Sequence, residues 1–283
     1  MPQEISFSRF AYFDTNILSI LAKDQARWRP LQDFLYRDDL CIAVSGAQVA
    51  ELSSDTRLHR PLNDLLTAVP SVLIKPADVI LNEEVQAHPR RRTATLLQYP
   101  LNALHGKQDF AQYLSSPELA EARREQRQTA QEWMRRLVDL KSNFPPSKTG
   151  KYTSDQADFF AWIITIQQLS GSHREFMERF RNDVANFKAD VFLSAQIMGY
   201  AVFYKYYLAG RTPQDSDFGD MFHLHAMPYC KLVVVERNMC EVLRQVKRKH
   251  KVLDGVVLKN LRFLDDWTWT EEPESASAGV CLS

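Results

Sequence analysis

The chain has 283 residues, enough to bury a large core within one elaborated domain or two modest ones. A hydrophobic fraction of 45% and a charged fraction of 25% are typical of a globular protein and exclude a disordered or fibrous chain. Lysine plus arginine and aspartate plus glutamate both number 35, so net charge neither favours nor excludes a nucleic-acid partner. No apolar run approaches membrane-spanning length, and the N-terminus carries no secretory pattern. We therefore expect a soluble cytoplasmic protein with no membrane partner.

The cysteines give no sign of a disulfide framework or a zinc site. They are far apart or lie in apolar surroundings, and no two of them form a CxxC pair. We therefore predict reduced thiols at Cys41, Cys230, Cys240 and Cys281.

The stretch from 11 to 22, AYFDTNILSILA, predicts a short buried strand that ends on an acid and passes directly into a helix. Asp14 is thereby placed at the carboxyl end of a strand, which is the edge where open α/β sheets bind ligands. Thr15 and Asn16 supply further polar groups beside this acid. A helix cap explains Asp14 equally well, and this stretch alone does not separate the two interpretations.

Two further buried strands are predicted in the first quarter of the chain. One spans 40–44 (LCIAV), is broken by Ser45, and precedes a helix whose first turns carry Glu51. The other spans 71–75 (SVLIK) and is closed by a proline. The strand, helix, helix, strand order implies parallel pairing, so Glu51 and Asp14 are expected at the same edge of the sheet. A lone surface glutamate is more often a solvated helix residue, and only the position relative to Asp14 favours a function for Glu51.

From about residue 79 to residue 210 the pattern changes to long amphipathic helices with few glycines and no obvious strand. We interpret this span as a large α-helical insertion that divides an α/β core into residues 1–78 and 211–270. A break rich in proline, serine and glycine at 142–151 predicts a loop within the insertion. The small, polar residues of 271–283 predict a flexible tail.

The second informative stretch runs from 213 to 243 and repeats the strand, acid, helix arrangement. Asp217 and Asp220 stand three residues apart at a predicted helix start, so their like charges repel unless a cation neutralises them. The run KLVVV at 231–235 then predicts a short buried strand that ends on Glu236. Glu236 is the third acid that the sequence places at or near a strand end.

Together these acids predict a metal site. Four converging carboxylates would raise one another's pKa values, and a divalent cation is the simpler resolution. Oxygen ligands suit Mg²⁺ or Mn²⁺, and two such ions roughly 4 Å apart can clamp both oxygens of an in-line phosphoryl displacement. The chemistry that follows is phosphodiester hydrolysis. The acids are Asp14, Glu51, Asp217 or Asp220, and Glu236.

Four motifs together resemble the PIN-domain nucleases. They are DTN at 14–16, Ser45 followed by Glu51, DxxDxxH at 217–223, and PYCKLVVVERN at 228–238. The resemblance covers the core, about residues 8–76 and 212–265, and is silent on the insertion. It implies a three-layer α/β sandwich with a small parallel sheet, and metal-dependent cleavage of RNA that is often single-stranded.

The resemblance also assigns roles to individual residues. It makes the acids catalytic, with Asp217 close to the metal ligands. The expected metal ligands are Asp14, Glu51, Asp220 and Glu236. The expected supporting residues are Thr15, Asn16, Ser45 and His223.

Two hypotheses follow for the function. The leading one is a divalent-metal endoribonuclease that acts on single-stranded RNA, with the insertion selecting or restricting the substrate. The alternative is a catalytically inactive PIN-like module that binds nucleic acid or a protein partner. The sequence leaves the oligomeric state open, a homo-oligomer included.

Other polar features have less specific interpretations. His223 is expected to hydrogen-bond Asp220 from the same helix rather than to bind metal, with His225 pointing elsewhere. Two basic runs, at 90–92 and at 244–251, suit either a phosphate backbone or a solvated surface. The surface interpretation is the more common one for such runs.

Overall fold

The computed structural model describes residues 9–91, 96–100, 110–214, 217, 221 and 223–267. The strands are β1 (Arg9–Phe13), β2 (Leu40–Val44), β3 (Ser71–Ile74), β4 (Leu97–Pro100), β5 (Leu232–Val234) and β6 (Val257–Lys259). The α-helices are α1 (Thr15–Lys23), α2 (Trp28–Arg37), α3 (Gly46–Leu52), α4 (His59–Ala68), α5 (Ala77–Ala87), α6 (Phe110–Leu114), α7 (Pro117–Asn143), α8 (Ser154–Ser172), α9 (Arg174–Glu178), α10 (Leu193–Val202), α11 (Arg237–Lys249) and α12 (Phe263–Asp266). A π-helical turn, Phe203–Leu208, extends α10, and a 3₁₀ helix, Leu224–Tyr229, precedes β5.

The strands form one open sheet in the order β4-β3-β2-β1-β5-β6. Five of them run parallel, and Tyr12 in the central strand β1 lies level with Ala43 of β2 and Val233 of β5. The predicted α/β class and parallel sheet are confirmed. Parallel pairing brings the carboxyl ends of β1, β2 and β5 to the same edge, so the residues that follow these strands are neighbours.

Two edge strands were not predicted. β4 lies within the span from 79 to 210 and pairs antiparallel with β3, so the prediction that this span contains no strand is wrong at Leu97–Pro100. β6 extends the other edge of the sheet, beside β5. Strands of three or four residues are too short to show an alternating pattern, and β4 ends on a proline that only an edge strand tolerates.

The sheet separates two apolar layers because neighbouring strand residues point to opposite faces. Ala11 and Phe13 pack with α1 to α4 on one face, whereas Tyr12 packs with α5, α8, α10 and α11 on the other. The helices between residues 79 and 210 therefore supply much of the cover for one face of the sheet. None of the helices described combines the length and the apolar composition that a membrane crossing requires. Cys41, Cys230 and Cys240 are buried and form no disulfide among the described residues, which agrees with the predicted reduced thiols, and Cys281 lies outside those residues.

Helices α8 and α10 pack closely against each other at Gly199. A Cβ atom built there would lie 2.7 Å from the Cα atom of Ala161, which is too close for any real contact. We expect Gly199→Ala to lower the free energy of unfolding by about 1–3 kcal/mol, because the two helix backbones must separate. Gly171→Ala is the matched control, since no atom lies within 4 Å of a Cβ there. Equal urea midpoints for the two variants would contradict this packing.

A buried carboxyl group joins α5 to α10 and to the 3₁₀ helix before β5. Glu84 accepts hydrogen bonds from the backbone amide of Ser194 (2.8 Å), from its hydroxyl (2.6 Å), and from the hydroxyl of Tyr229. Burial raises the pKa of Glu84 to about 7, although these donors act in the opposite direction. Between about pH 4.5 and pH 7, Glu84 is therefore protonated in the folded protein and ionised in the unfolded chain, where its pKa is near the ordinary value of 4.5.

This shift predicts a pH-dependent stability. Glu84 contributes its full stability below about pH 4.5 and loses it as the pH rises through about 7, because only the folded state holds the proton in that window. Relative to Glu84→Gln, the wild type should lose about 3 kcal/mol of unfolding free energy between pH 4 and pH 8. Urea unfolding across this range measures the difference, with Glu175→Gln as the exposed control. A constant difference between wild type and Glu84→Gln would contradict the shift.

Candidate active site

A pocket of about 290 Å³ opens at the carboxyl edge of the sheet. Its walls come from the segments that follow β1, β2 and β5, together with the π-helical turn and the segment after it. The lining residues are Asp14, Asn16, Glu51, Lys205, Arg211, Asp217, His223, Met227, Val235, Glu236, Asn238 and Met239.

Asp14 stands at the junction between β1 and α1. Its backbone amide donates to the carbonyl oxygen of Val234 (2.9 Å), which extends the pairing of β1 with β5 by one residue. Its Oδ1 accepts from the backbone amide of Thr15 (2.8 Å) at the first turn of α1. Asp14 therefore both caps the helix and lines the pocket, so the two interpretations of this acid are compatible.

Glu51 reaches the pocket from α3, and two side chains hold one of its oxygens. The hydroxyl of Thr15 donates to Oε2 at 2.9 Å, and Nε2 of His223 donates to the same oxygen at 3.1 Å. Partial burial acts to raise the pKa of Glu51, but the hydrogen bond and charge of His223 and the bond from Thr15 outweigh it, so the pKa lies below its ordinary value. Glu51 is therefore held in its ionised form. The partner of His223 among the described residues is Glu51, whereas Asp220 had been expected.

Glu236 follows β5 and stands at the N-cap position of α11. The side-chain amide of Asn16 donates to its Oε1 at 2.5 Å, across 220 residues of sequence. The DTN motif thus contributes one acid and two donors, with Thr15 holding Glu51 and Asn16 holding Glu236. Three consecutive residues connect acids from three separate segments of the chain.

Ser45 does not line the pocket. Its hydroxyl accepts from the backbone amide of Gln48 (3.2 Å), while the side chain of Gln48 accepts from the amide of Ser45 (2.9 Å). This capping box starts α3, and Gln48 also donates to the carbonyl of Phe13 at the end of β1 (2.6 Å). Ser45 supports the site only by fixing the start of the helix that carries Glu51.

Asp217 is engaged by two cations. Its Oδ1 lies 2.9 Å from Nζ of Lys205 and 3.3 Å from a guanidinium nitrogen of Arg211, and its Oδ2 accepts from the amide of Gln214 (2.9 Å). Burial acts to raise the pKa of Asp217, but these partners lower it below the ordinary value. The structure thus places Asp217 in the pocket as an ion-pair partner. Asp220 lies outside the described residues.

The sequence did not single out Lys205 and Arg211. Lys205 lies in the π-helical turn and is the one charged residue between 191 and 208. A lone cation in an apolar helix is itself a signal, because such a charge is buried only when it is paired. π-helical turns also occur often at functional sites. Arg211 and Asn238 gave no comparable signal.

Two buried polar atoms beside the pocket have no hydrogen-bond partner among the described residues: the hydroxyl of Tyr12 and Nδ1 of His223. Burial raises the pKa of Tyr12 well above its ordinary value, and the charges of Asp14 and, more weakly, Glu51 add to this effect. Buried polar atoms are normally satisfied by protein or ordered water, so these two suit a hydrated or ligand-bound pocket.

The charge balance of the pocket is negative. Four carboxylates face the two cations Lys205 and Arg211, so the carboxylates are in excess. Oε1 of Glu51 and Oε2 of Glu236 accept no hydrogen bond from any residue that the structure describes. Within the same residues, no three or more Asp, Glu, His and Cys side chains are grouped so that they could hold a metal ion.

Comparisons of the chain with protein-family models, with curated proteins and with solved structures give no match.

The ion pair between Lys205 and Asp217 predicts a large stability effect. Their side chains are only 7% and 3% exposed, so Asp217→Asn leaves a buried ammonium group without this carboxylate. We expect the free energy of unfolding at pH 7 to fall by about 3–5 kcal/mol. The effect should shrink below about pH 4, because the stability from a carboxylate with a lowered pKa is lost as acid protonates it.

The matched control for this variant is Arg174→Gln, which breaks an exposed pair with Glu178 and should change stability by less than about 1 kcal/mol. The double variant Lys205→Met/Asp217→Asn should recover part of the loss, because the buried ammonium group is removed together with its carboxylate partner. Urea unfolding at pH 7 measures all of these variants. Equal losses for Asp217→Asn and Arg174→Gln would contradict a buried ion pair.

Proposed function

We propose that this chain is a divalent-metal-dependent endoribonuclease with a PIN-like core, which hydrolyses phosphodiester bonds of single-stranded RNA in the cytoplasm. One observation carries the proposal. Asp14, Glu51 and Glu236 come from three separate segments, line one pocket at the carboxyl edge of a parallel sheet, and are joined through Thr15 and Asn16. An arrangement that gathers like charges in this way suits a cation as its ligand.

The donor set supports Mg²⁺ or Mn²⁺ as that cation. The available ligands are carboxylate oxygens, which are the ligands that these ions prefer, and carboxylates outnumber cations in the pocket. Mg²⁺ is commonly held by one or two carboxylates and keeps several waters, so Asp14 and Glu236 suffice as direct ligands. When bound, the ion supplies the positive charge that activates water and neutralises the scissile phosphate.

The side chains of the chain itself have three tasks in this proposal. Thr15 and His223 keep Glu51 oriented and ionised, so that it offers its second oxygen to the pocket. Asn16 orients Glu236 through its hydrogen bond to Oε1. Lys205 and Arg211, which also line the pocket, provide positive charge toward a phosphate that enters it. That charge is partly offset by their shared partner, Asp217.

One observation favours the alternative of an inactive module that binds nucleic acid or a protein partner. The ion pairs of Asp217 with Lys205 and Arg211 occupy one of the acids to which the PIN-like resemblance assigns catalysis. A module of this kind would bind RNA without cutting it. A cleavage assay therefore separates the two functions.

We expect wild-type protein to cleave a labelled single-stranded RNA in Mg²⁺ or Mn²⁺ and to lose this activity in EDTA. Asp14→Asn should abolish cleavage, because it removes one negative ligand while asparagine still caps α1. Thr15→Val and Asn16→Ala should lower metal affinity about 10–100-fold, because each frees a carboxylate from its orienting donor. The control is Asp33→Asn, an exposed acid away from the pocket. Binding of RNA without cleavage under all of these conditions would support the inactive module.

Thermal melts test the metal independently of turnover. In metal-free buffer, Asp14→Asn should be at least as stable as wild type, because mutual repulsion of the acids is relieved. Added Mn²⁺ should raise the melting temperature of wild type and of Asp33→Asn more than that of Asp14→Asn. An equal rise for all three proteins would show that Asp14 does not bind the metal.

A further inference from the structure

The two basic runs noted in the sequence meet in space. A guanidinium nitrogen of Arg91 donates to the backbone carbonyl of Lys251 at 3.2 Å, across 160 residues of sequence. Exposed basic side chains flank this contact on both segments. We call this area the basic surface and define it as Arg90, Arg91, Arg248, Lys249 and Lys251.

These five cations are not neutralised locally. None of them forms a salt bridge with a carboxylate that the structure describes, and the nearby exposed Asp254 is not paired with Lys251. Elsewhere on the surface, arginines such as Arg57, Arg174 and Arg244 each pair with an adjacent acid. The basic surface is therefore a local positive field on a chain whose net charge is zero.

Helix dipoles explain only part of this cluster. Basic side chains near the C-terminus of α11 interact favourably with the last carbonyl groups of the helix, which accounts for Arg248 and Lys249. Arg90, Arg91 and Lys251 lie outside that helix, and Arg90 and Arg91 follow a different helix, α5. Two segments that pack against the same face of the sheet thus bring their cations together.

Helix α11 connects the basic surface to the pocket. It begins directly after Glu236 and buries one face, so Arg237, Arg244 and Arg248 follow one another along its opposite side. Glu241, which lies between them, is paired with Arg244. Arg248 stands 12 residues from Glu236, or about 18 Å along the helix.

We propose that the basic surface binds the phosphate backbone of the RNA strand whose scissile bond lies in the pocket, with the strand following α11 between the two. This inference rests on the proposed function. An acidic protein segment would satisfy the same charges, but it would have no reason to align with a pocket that receives a phosphodiester. Single-stranded RNA satisfies both the charges and the alignment.

The test is a salt titration of RNA binding. Fluorescence anisotropy with a labelled 12-nucleotide oligouridylate is measured in an Asp14→Asn background with Mg²⁺, so that binding is read without cleavage. Neutralising three phosphate contacts with Arg91→Gln/Arg248→Gln/Lys251→Gln should reduce the slope of log affinity against log salt by about 2, at 0.7 per contact for single strands. A second triple variant, Arg90→Gln/Lys249→Gln/Lys251→Gln, leaves the Arg91 hydrogen bond intact and should have the same effect.

The matched control neutralises three exposed cations elsewhere, as Arg29→Gln/Lys148→Gln/Arg181→Gln, and should leave the slope unchanged. A uridine dinucleotide is too short to span the roughly 18 Å of α11, so the basic-surface variants and the control should bind it equally. Equal slopes for all variants with the 12-nucleotide RNA would overturn the proposal. So would equal competition by polyglutamate of matched charge, which would make the surface a general site for polyanions.

The outcome is separable from that of the proposed function. If wild type cuts RNA and the basic-surface variants bind and cut it as the control does, then the RNA path is wrong while the nuclease stands. If no condition gives cleavage but the slope falls as expected, then the basic surface binds RNA and the nuclease proposal is wrong. Thermal melts of each variant confirm that the fold is retained.

Discussion

Carboxylates that are gathered at one edge of a sheet repel one another, and the candidate site is built around the groups that hold them there. Two of the acids are tied to side-chain donors from other segments of the chain: Glu51 to Thr15 and His223, and Glu236 to Asn16. A parallel sheet brings the acids together without choosing their orientation. The donors set the orientation of each acid, because their hydrogen bonds engage one carboxylate oxygen and leave the other directed away from the protein contacts. The residues at the N-terminus of α1 therefore hold the acids in their relative positions.

The helical span from 79 to 210 belongs to this arrangement as well. It was interpreted from sequence as an insertion outside the core, but α5 and α10 cover one face of the sheet and the π-helical turn sends Lys205 into the pocket. The Lys205 and Asp217 pair links that span to the segment before β5. The cover of the sheet and the charge balance of the site thus depend on the same helices.

The sequence was sufficient wherever one short segment carried the whole signal. An apolar run that ends on an acid before a helix predicted that Asp14 and Glu236 lie at strand ends. The parallel order of the strands then predicted that Glu51 lies beside them. It was insufficient wherever a role depends on a distant partner. The apolar helix around Lys205 indicates that its charge is paired but not with which acid, and the pairing of His223 with Glu51 spans 172 residues. β4 and β6 are strands because neighbouring strands offer them hydrogen bonds, which no short window of sequence reveals.

The π-helical turn has a consequence for how such a site arises or is lost in evolution. A π turn holds one more residue per turn than an α-helix, so it forms when a single residue is inserted into a helix and disappears when one is removed. Each α-helical residue advances about 100° around the axis, so removing one codon from this turn would rotate Lys205 to another side of its helix. A one-codon change would then alter the charge of the pocket while every acid stayed in place. The number of residues in the turn at 203–208 can thus change the function of related chains without any change in the residues that a motif would detect.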